Sequence, residues 1–450
     1  MDYKAILENY SKPVPRYTSY PTAPHFKPEI GTKVFEEGLE SLDPREEVSV
    51  YLHIPYCDRL CWFCGCHTKH TLKYAPISRY VRTLAKEMEL LNERLGFRPL
   101  LKHLHLGGGS PSLLKSDELI RLRDALDLTF RFGADTEVSI EIDPCDVNES
   151  TISSLREFGV TRASLGVQDF SPEVQEAINR PQSYEETRDV VWELREAGVN
   201  SINIDALYGL PLQHESRLIK TIEQCISLQP DRMALFGYAH VPWLKKHQRL
   251  IKTEDLPDSF ERYEHSQSAT QCLISAGYET IGIDHFAKPD DDLAHAKRAG
   301  TLRRNFQGYT TDTHQTMLSF GASSIGRFPD AYVQNIVATS QYEADVSAGR
   351  LTKAKGLKLT TEDQLRGHVI ERLMCDFRFD FADLADQSPS LADRCLEDAL
   401  FFAAADRFDL CQIEGTVLKI NEAARPFTRI IASQFDAYYL EEQFQYSKAV

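Results

Sequence analysis

Short runs of apolar and β-branched residues recur along the first two thirds of the chain: VSVYLHI (48–54), KHLHLG (102–107), EVSIEI (137–142), TRASLGV (161–167), SINIDAL (201–207), RMALFGY (232–238) and YETIGI (278–283). Between them lie stretches with helical spacing, at 77–94, 115–130, 150–158, 184–197, 215–228 and 257–276. Ser171-Pro172 reads as an N-cap followed by proline at the first helical position. Strands that alternate with helices predict a parallel sheet. Six or seven such units predict a full or partial α/β barrel rather than a small doubly wound sheet. The pattern changes beyond 330. Thr361 and Gln364 have the spacing of a capping box before a helix at 362–376. Further helices fit 392–405 and 422–438, and short strands at 409–413 and 416–420 flank a turn at Glu414-Gly415. The expected organisation is an N-terminal arm (1–47), an α/β barrel (48–330) and a smaller, mainly helical C-terminal domain (331–450).

Composition narrows the function more than the fold. The 450 residues are 42% hydrophobic and 26% charged, an ordinary globular mix. No apolar run approaches the roughly 20 residues of a membrane helix. The first residues, MDYKAILENYSKPVPR, lack the apolar core of a secretory signal. A cytoplasmic protein is expected. The formal net charge of −16 argues against nucleic-acid or anionic-membrane binding, which needs a positive surface. It leaves room for an anionic small substrate held in a local basic pocket.

Four of the ten cysteines fall in one stretch, CDRLCWFCGC (57–66). The other six, Cys145, Cys225, Cys272, Cys375, Cys395 and Cys411, are scattered, and free cysteines of that kind are usually small buried hydrophobes. Three readings compete for the cluster. A structural zinc site takes two ligand pairs set apart along the chain, and no second pair exists. A redox CxxC accounts for Cys61 and Cys64 and leaves Cys57 idle. An iron–sulfur cubane accepts thiolates crowded onto one loop, because its irons lie close together. Three cysteines would ligate three irons of a [4Fe–4S] cluster and leave the fourth open to a ligand.

In an α/β barrel the reactive groups sit at the C-terminal ends of the strands. The first strand runs into the cysteine loop and the second into Gly107-Gly108-Gly109-Ser110-Pro111. The third carries Glu141 and Asp143, and the fourth leads to Gln168-Asp169. The fifth holds Asp205 and then Tyr208-Gly209-Leu210-Pro211. The sixth leads to Tyr238-Ala239-His240 and the seventh to Asp284-His285. Glycines without Cβ let backbone groups approach a ligand closely. No Gly-Lys-Ser/Thr follows the glycine run, so it is not a phosphate loop. His53 and His240 are expected to be structural.

The spacing C-x3-C-x2-C after the first strand, with Phe63 before the last cysteine, resembles the signature of the radical S-adenosylmethionine (SAM) superfamily. Within it the chain resembles the oxygen-independent coproporphyrinogen III oxidases over nearly its whole length. The most specific pieces are PRYTSYPTA (15–23), YLHIPYCDRLCWFCGC (51–66), HLGGGSPS (105–112), IEIDP (140–144), GVQDF (166–170), NIDALYGLP (203–211), YAHVP (238–242), DHFAKPDD (284–291) and NFQGYTT (305–311). The resemblance implies a partial (β/α) barrel with a [4Fe–4S] cluster on Cys57, Cys61 and Cys64, and Cys66 nearby but not a ligand. It implies that Tyr51, Gly108 and Glu141 hold the SAM on the open iron. Phe63, Gly109, Ser110, Gln168, Arg180, Asp205, Ala239 and Ile325 match positions around a second SAM. Relatives often have threonine at 110; serine keeps the hydroxyl.

The chemistry so implied is reductive cleavage of SAM to methionine and a 5′-deoxyadenosyl radical, which takes a hydrogen atom from a propionate β-carbon. Loss of CO2 and one electron leaves a vinyl group, and two such rounds give protoporphyrinogen IX for heme synthesis. A cytosolic electron donor and a monomeric enzyme are implied. The four substrate carboxylates call for basic residues, and Arg16, Lys288, Arg303 and Arg304 are available, with Arg303 or Arg304 expected at a propionate. Two relatives give rival readings: a heme chaperone, and a radical-SAM enzyme that opens heme. Cys66, the arm RYTSYPTA and the stretch NFQGYTT oppose the chaperone.

Overall fold

In the computed structural model, which describes residues 2–10 and 13–439, the first six apolar runs form parallel strands. They are β1 (Glu47–Ile54), β2 (Leu100–Gly108), β3 (Arg131–Ile142), β4 (Arg162–Gln168), β5 (Ser201–Tyr208) and β6 (Arg232–Gly237). Each pairs with the next in chain order. Their side chains alternate between two faces with period two. In β5, Ile202, Ile204 and Ala206 are buried while Asn203 and Asp205 turn the other way. The apolar face packs against helices such as Tyr74–Leu95, whose stripe of Tyr80, Leu84, Met88 and Leu91 is buried. Parallel sheets normally bury apolar residues on both faces. Here Ser49, His103, Glu137, Arg162 and Asn203, one from each of five strands, instead line a single polar cavity of about 220 Å³. The sheet therefore curves around a polar lumen as a partial barrel.

Both edges of the sheet depart from the sequence reading. The expected seventh unit is a short antiparallel hairpin, β7 (Glu279–Ile281) and β8 (His285–Ala287), with β8 antiparallel to β6. Gly282 turns the chain with φ +55°, and a Cβ there would meet the Tyr309 ring. At the other edge, β9 (Met317–Phe320) pairs parallel with β1. Antiparallel β10 (Ile325–Phe328), β11 (Ala331–Asn335) and β12 (Lys353–Lys358) follow, completing a twelve-stranded sheet. The sheet thus runs past 330, where the boundary was expected, as far as Lys358.

The arm also divides. Helix Gly31–Ser41 packs Val34 and Phe35 into the core of the large sheet, whereas Ile6, Leu7, Val14 and Tyr17 join a second core built by the C-terminal residues. Helices Thr361–Asp376 and Pro389–Ala405 and the hairpin Cys411–Glu414/Val417–Ile420 form as expected. The capping box lies one residue earlier, on Thr360 and Asp363. The third helix is broken: Glu422–Phe427 is a 3-10 turn containing Pro426, followed by the short helix Thr428–Ala432. Proline lacks the N–H that a continuous helix needs. Among the described residues no helix is long and apolar enough to cross a membrane.

Candidate active site

The cysteine loop leaves β1 at Ile54 and is held at several points. The Trp62 N–H donates to the Ile178 carbonyl at 2.9 Å, and Asn179 Nδ2 donates to the Leu60 carbonyl at 2.8 Å. From the opposite side, Gln248 Nε2 donates to the Phe63 carbonyl at 2.8 Å and Lys245 Nζ to the Cys66 carbonyl at 2.9 Å. His247 Nε2 lies 2.8 Å from the Cys64 carbonyl. The thiols are therefore placed mainly by contacts to the loop backbone. Two thiols also have contacts of their own: Arg180 Nη1 reaches Cys61 Sγ at 3.4 Å and Asp143 at 3.0 Å, while its Nη2 donates to the Gly166 carbonyl at 2.6 Å, and the Cys66 N–H donates to Cys64 Sγ at 3.4 Å.

The strand tips gather around this loop. The Gly108 N–H donates to Glu141 Oε2 at 2.8 Å, and His105 Nε2 lies 3.4 Å from Oε1. Desolvation pushes the Glu141 carboxyl up, but His105 and the Gly108 N–H outweigh it and hold the group below its usual range. The Gly109 N–H donates to the Ile54 carbonyl at 2.8 Å, and a Cβ on Gly109 would lie 2.5 Å from the Tyr56 carbonyl. Ser110 hydrogen-bonds Asp146. Tyr51 reaches His53 Nδ1 at 2.9 Å and stacks on His105 at 5.8 Å. Asp205 accepts from Ser164 at 2.9 Å and Asn203 at 2.7 Å. Gln168 holds its φ at +68°, and the Ala239 carbonyl accepts from Gln248 at 3.2 Å.

The donor set fits an iron–sulfur cluster. All three cysteines are free and half-buried. Burial pushes the Cys57 thiol up, and the neighbouring Cys64 and Cys61 push it further. Thiolates that oppose one another in this way are stabilised together by a cationic centre.

Beyond β6 opens a larger cavity of about 950 Å³, lined among others by Arg16, Tyr208, His240, Arg262, Arg304 and Arg429. Burial and then Arg16 pull the Arg429 guanidinium down to about 10. Burial also lowers Arg262, with Arg16 acting in the same direction. Cations that depress one another mark a site shaped for an anion. Sequence reasoning missed Arg262 and Arg429, because each reads as a solvated charge on a helix. It also missed the 245–248 segment that grips the cysteine loop.

The remaining expected residues divide between clefts. Arg303 Nε donates to Glu371 at 2.9 Å and faces a separate cleft with Arg327 and His368, not the large cavity. Ile325 opens β10 and packs in a cluster with Phe26, Tyr332 and Leu357, which also takes in Phe306 from the wall of the large cavity. Arg304 faces the cavity with Asp284 at 3.7 Å and its guanidinium over Tyr309. His53 is fixed between Tyr51 and the His67 carbonyl, as a structural histidine would be.

A polar partial barrel whose first strand feeds a three-cysteine loop defines a radical SAM enzyme, and residues 51–225 match the family model of the Radical SAM superfamily. The chain is 45% identical over 440 residues to the oxygen-independent coproporphyrinogen III oxidase of Cereibacter sphaeroides, covering 97% of this chain and 96% of that protein. It is 37% identical over 435 residues to the Escherichia coli enzyme of the same name, covering 96% and 95%. The solved structure of E. coli coproporphyrinogen III oxidase, a radical SAM enzyme, superposes with a TM-score of 0.90 at 36% identity, covering 97% of this chain and 99% of that one. The chain belongs to the oxygen-independent coproporphyrinogen III oxidase family.

Proposed function

We propose that this chain converts coproporphyrinogen III to protoporphyrinogen IX without oxygen, turning two propionates into vinyl groups. When bound, the [4Fe–4S] cluster and SAM supply the one-electron chemistry that removes a hydrogen atom from the propionate β-carbon. Cys57, Cys61 and Cys64 hold the cluster. Tyr51, Gly108 and Glu141 seat the SAM beside it. The lowered pKa of Glu141 keeps a carboxylate ready for the SAM amino group. Arg180, Asp205, Ser110, Gln168, Phe63, Gly109, Ala239 and Ile325 line a second SAM position. The cytosolic setting, an electron-donor protein and a monomeric enzyme belong to the same reading.

The observation that carries the proposal is the arginine-lined cavity in a protein of net charge −16. Arg16, Arg262, Arg304 and Arg429 surround a space large enough for a macrocycle and offer forked donors to its carboxylates. Tyr208, Phe236 and Tyr238 provide apolar walls that exclude water. The test is anaerobic turnover with a reductant, SAM and coproporphyrinogen III. Formation of 5′-deoxyadenosine together with a vinyl-bearing tetrapyrrole is expected. Deoxyadenosine without that product would leave the class standing and refute the substrate.

A further inference from the structure

The opposite end of the barrel carries a second group of ligand-type side chains. His103 lies near the start of β2, and Asp312 and His314 lie in the loop before β9. One ligand atom from each falls within 4.8 Å of the others. The strand register builds the group, since Ser49 of β1 is the partner of both His103 and Met317, and His103 is the partner of Glu137. His103 Nε2 faces Asp312 Oδ1 at 3.9 Å and its Nδ1 faces Glu137 at 3.7 Å. His314 Nδ1 faces Asp312 Oδ1 at 2.7 Å and its Nε2 faces Glu47 at 3.1 Å. Ser49 hydrogen-bonds the other oxygen of Asp312.

Each imidazole therefore points one nitrogen at a shared carboxylate and the other at a carboxylate of its own. That is the carboxylate–histidine–metal arrangement, in which an outer carboxylate fixes the tautomer and raises ligand basicity. The separations at His103 are longer than hydrogen bonds, so two carboxylates flank this ring without bonding it. Lys102 at 3.6 Å answers Glu47 and Arg162 at 2.8 Å answers Glu137. Among the described residues no Lys or Arg forms an ion pair with Asp312. The inward face of the group opens on the polar lumen, which His103, Glu137 and Asp312 line.

We propose that His103, Asp312 and His314 bind a divalent metal ion of the zinc class, held by two nitrogens and one oxygen and oriented by Glu137 and Glu47. Borderline imidazole and carboxylate donors suit zinc and exclude a soft-metal preference. The ion would tie β2 to the loop entering β9 across β1, which pairs parallel with both strands. It is a staple that shares no ligand with the cysteine loop, although the lumen it borders continues to His105 and Glu141.

The test uses cluster-loaded protein, so that the loop thiols are occupied, treated with a chelator and titrated with Zn2+ by calorimetry. One equivalent is expected to bind and to raise the thermal midpoint, reversibly with chelator. The His103→Gln/His314→Gln double variant should lose that equivalent with iron and sulfide content unchanged. Glu47→Gln, which removes the carboxylate 3.1 Å from the outer nitrogen of His314 while leaving all three proposed ligands in place, should weaken Zn2+ binding roughly 10- to 100-fold. Co2+ in the wild-type protein should give the visible absorption of a site with nitrogen and oxygen ligands. Absence of the equivalent in wild type, equal binding by the double variant, or a thiolate signature with Co2+ would each overturn the proposal.

Discussion

The two mouths of the barrel are built from the same six strands and solve opposite problems. At the C-terminal mouth, glycines and loop backbone replace side chains: Gly108 and Gly109 approach Glu141 and Ile54 through their N–H groups, and the thiols are placed by contacts to the loop backbone. At the N-terminal mouth, Ser49, His103 and Glu137 are set side by side by the register of β1, β2 and β3. One end presents backbone groups to a ligand and the other presents imidazoles and carboxylates to the polar lumen. The general division of (β/α) barrels into a chemical face and a stabilising face is visible here in the choice of residue types.

The largest effect that would sharpen this contrast is loss of the cluster. Serine at Cys57, Cys61 or Cys64 is expected to abolish bound iron and all deoxyadenosine formation, whereas Cys66→Ser keeps the iron; iron and sulfide analysis distinguishes them. Next is Gly109→Ala. Its Cβ would lie 2.5 Å from one carbonyl oxygen and 2.8 Å from another, so the backbone must move. A displacement of about 1 Å at a reacting centre costs on the order of 10²-fold in rate. Single-turnover kinetics should show that loss with the cluster retained. At the N-terminal mouth no glycine carries such a constraint among the group's residues.

A smaller effect is expected at the arginine cavity. Removing one charged hydrogen bond costs roughly 1.5–3 kcal/mol, or about 10- to 100-fold in affinity. Arg262→Ala should raise KM for coproporphyrinogen III by an amount in that range while leaving uncoupled SAM cleavage intact. Arg303→Ala, whose guanidinium is engaged by Glu371, should leave KM unchanged.

The smallest effects are in pH dependence, and they run in opposite directions at the two mouths. Burial pushes Asp169, just past β4, up to about 6 against hydrogen bonds from Gln213 and Ser171. Its folded pKa lies above the unfolded value, so its contribution to stability is complete below about pH 4 and lost as pH rises through 6. Burial also acts upward on Glu137 in β3, but His103 and Arg162 overcome it and hold the group at about 2. Its contribution is present above the unfolded carboxylate pKa and lost as pH falls toward 2. Denaturation midpoints across pH should show Asp169→Asn flattening the first window and Glu137→Gln the second.

The parts of the molecule that the sequence made legible are those governed by period-two alternation and by strand tips. β1 to β5 were readable because each has alternating apolar positions, β6 because it is a short apolar run, and all six lead into loops that carry glycine, a carboxylate, cysteine or histidine. β9 was not, since MLSF is four residues long, is buried throughout, and has no helix before it to announce a parallel unit. The hairpin at 279–287 misled for a related reason: YETIGI has strand composition, but the turn at Gly282 reverses it. Arg303 and Arg304 show a finer limit. Neighbours on a strand face opposite sides, and nothing in RRN says which one meets the cavity. The Arg262 and Arg429 positions depend on how the C-terminal core closes over β6, a long-range arrangement with no local signature. The His103 group stayed hidden because its members are separated by more than 200 residues and meet only through the pairing of β1 with β9.

The account rests on three thiolates leaving one iron of a cubane free for SAM. The direct measurement is Mössbauer and EPR spectroscopy of anaerobically reconstituted protein, with and without SAM. One [4Fe–4S] cluster is expected, with a single iron whose parameters change when SAM is added. A cluster whose four irons are all ligated by side chains and do not respond to SAM, or reconstituted protein with no cluster, would contradict it.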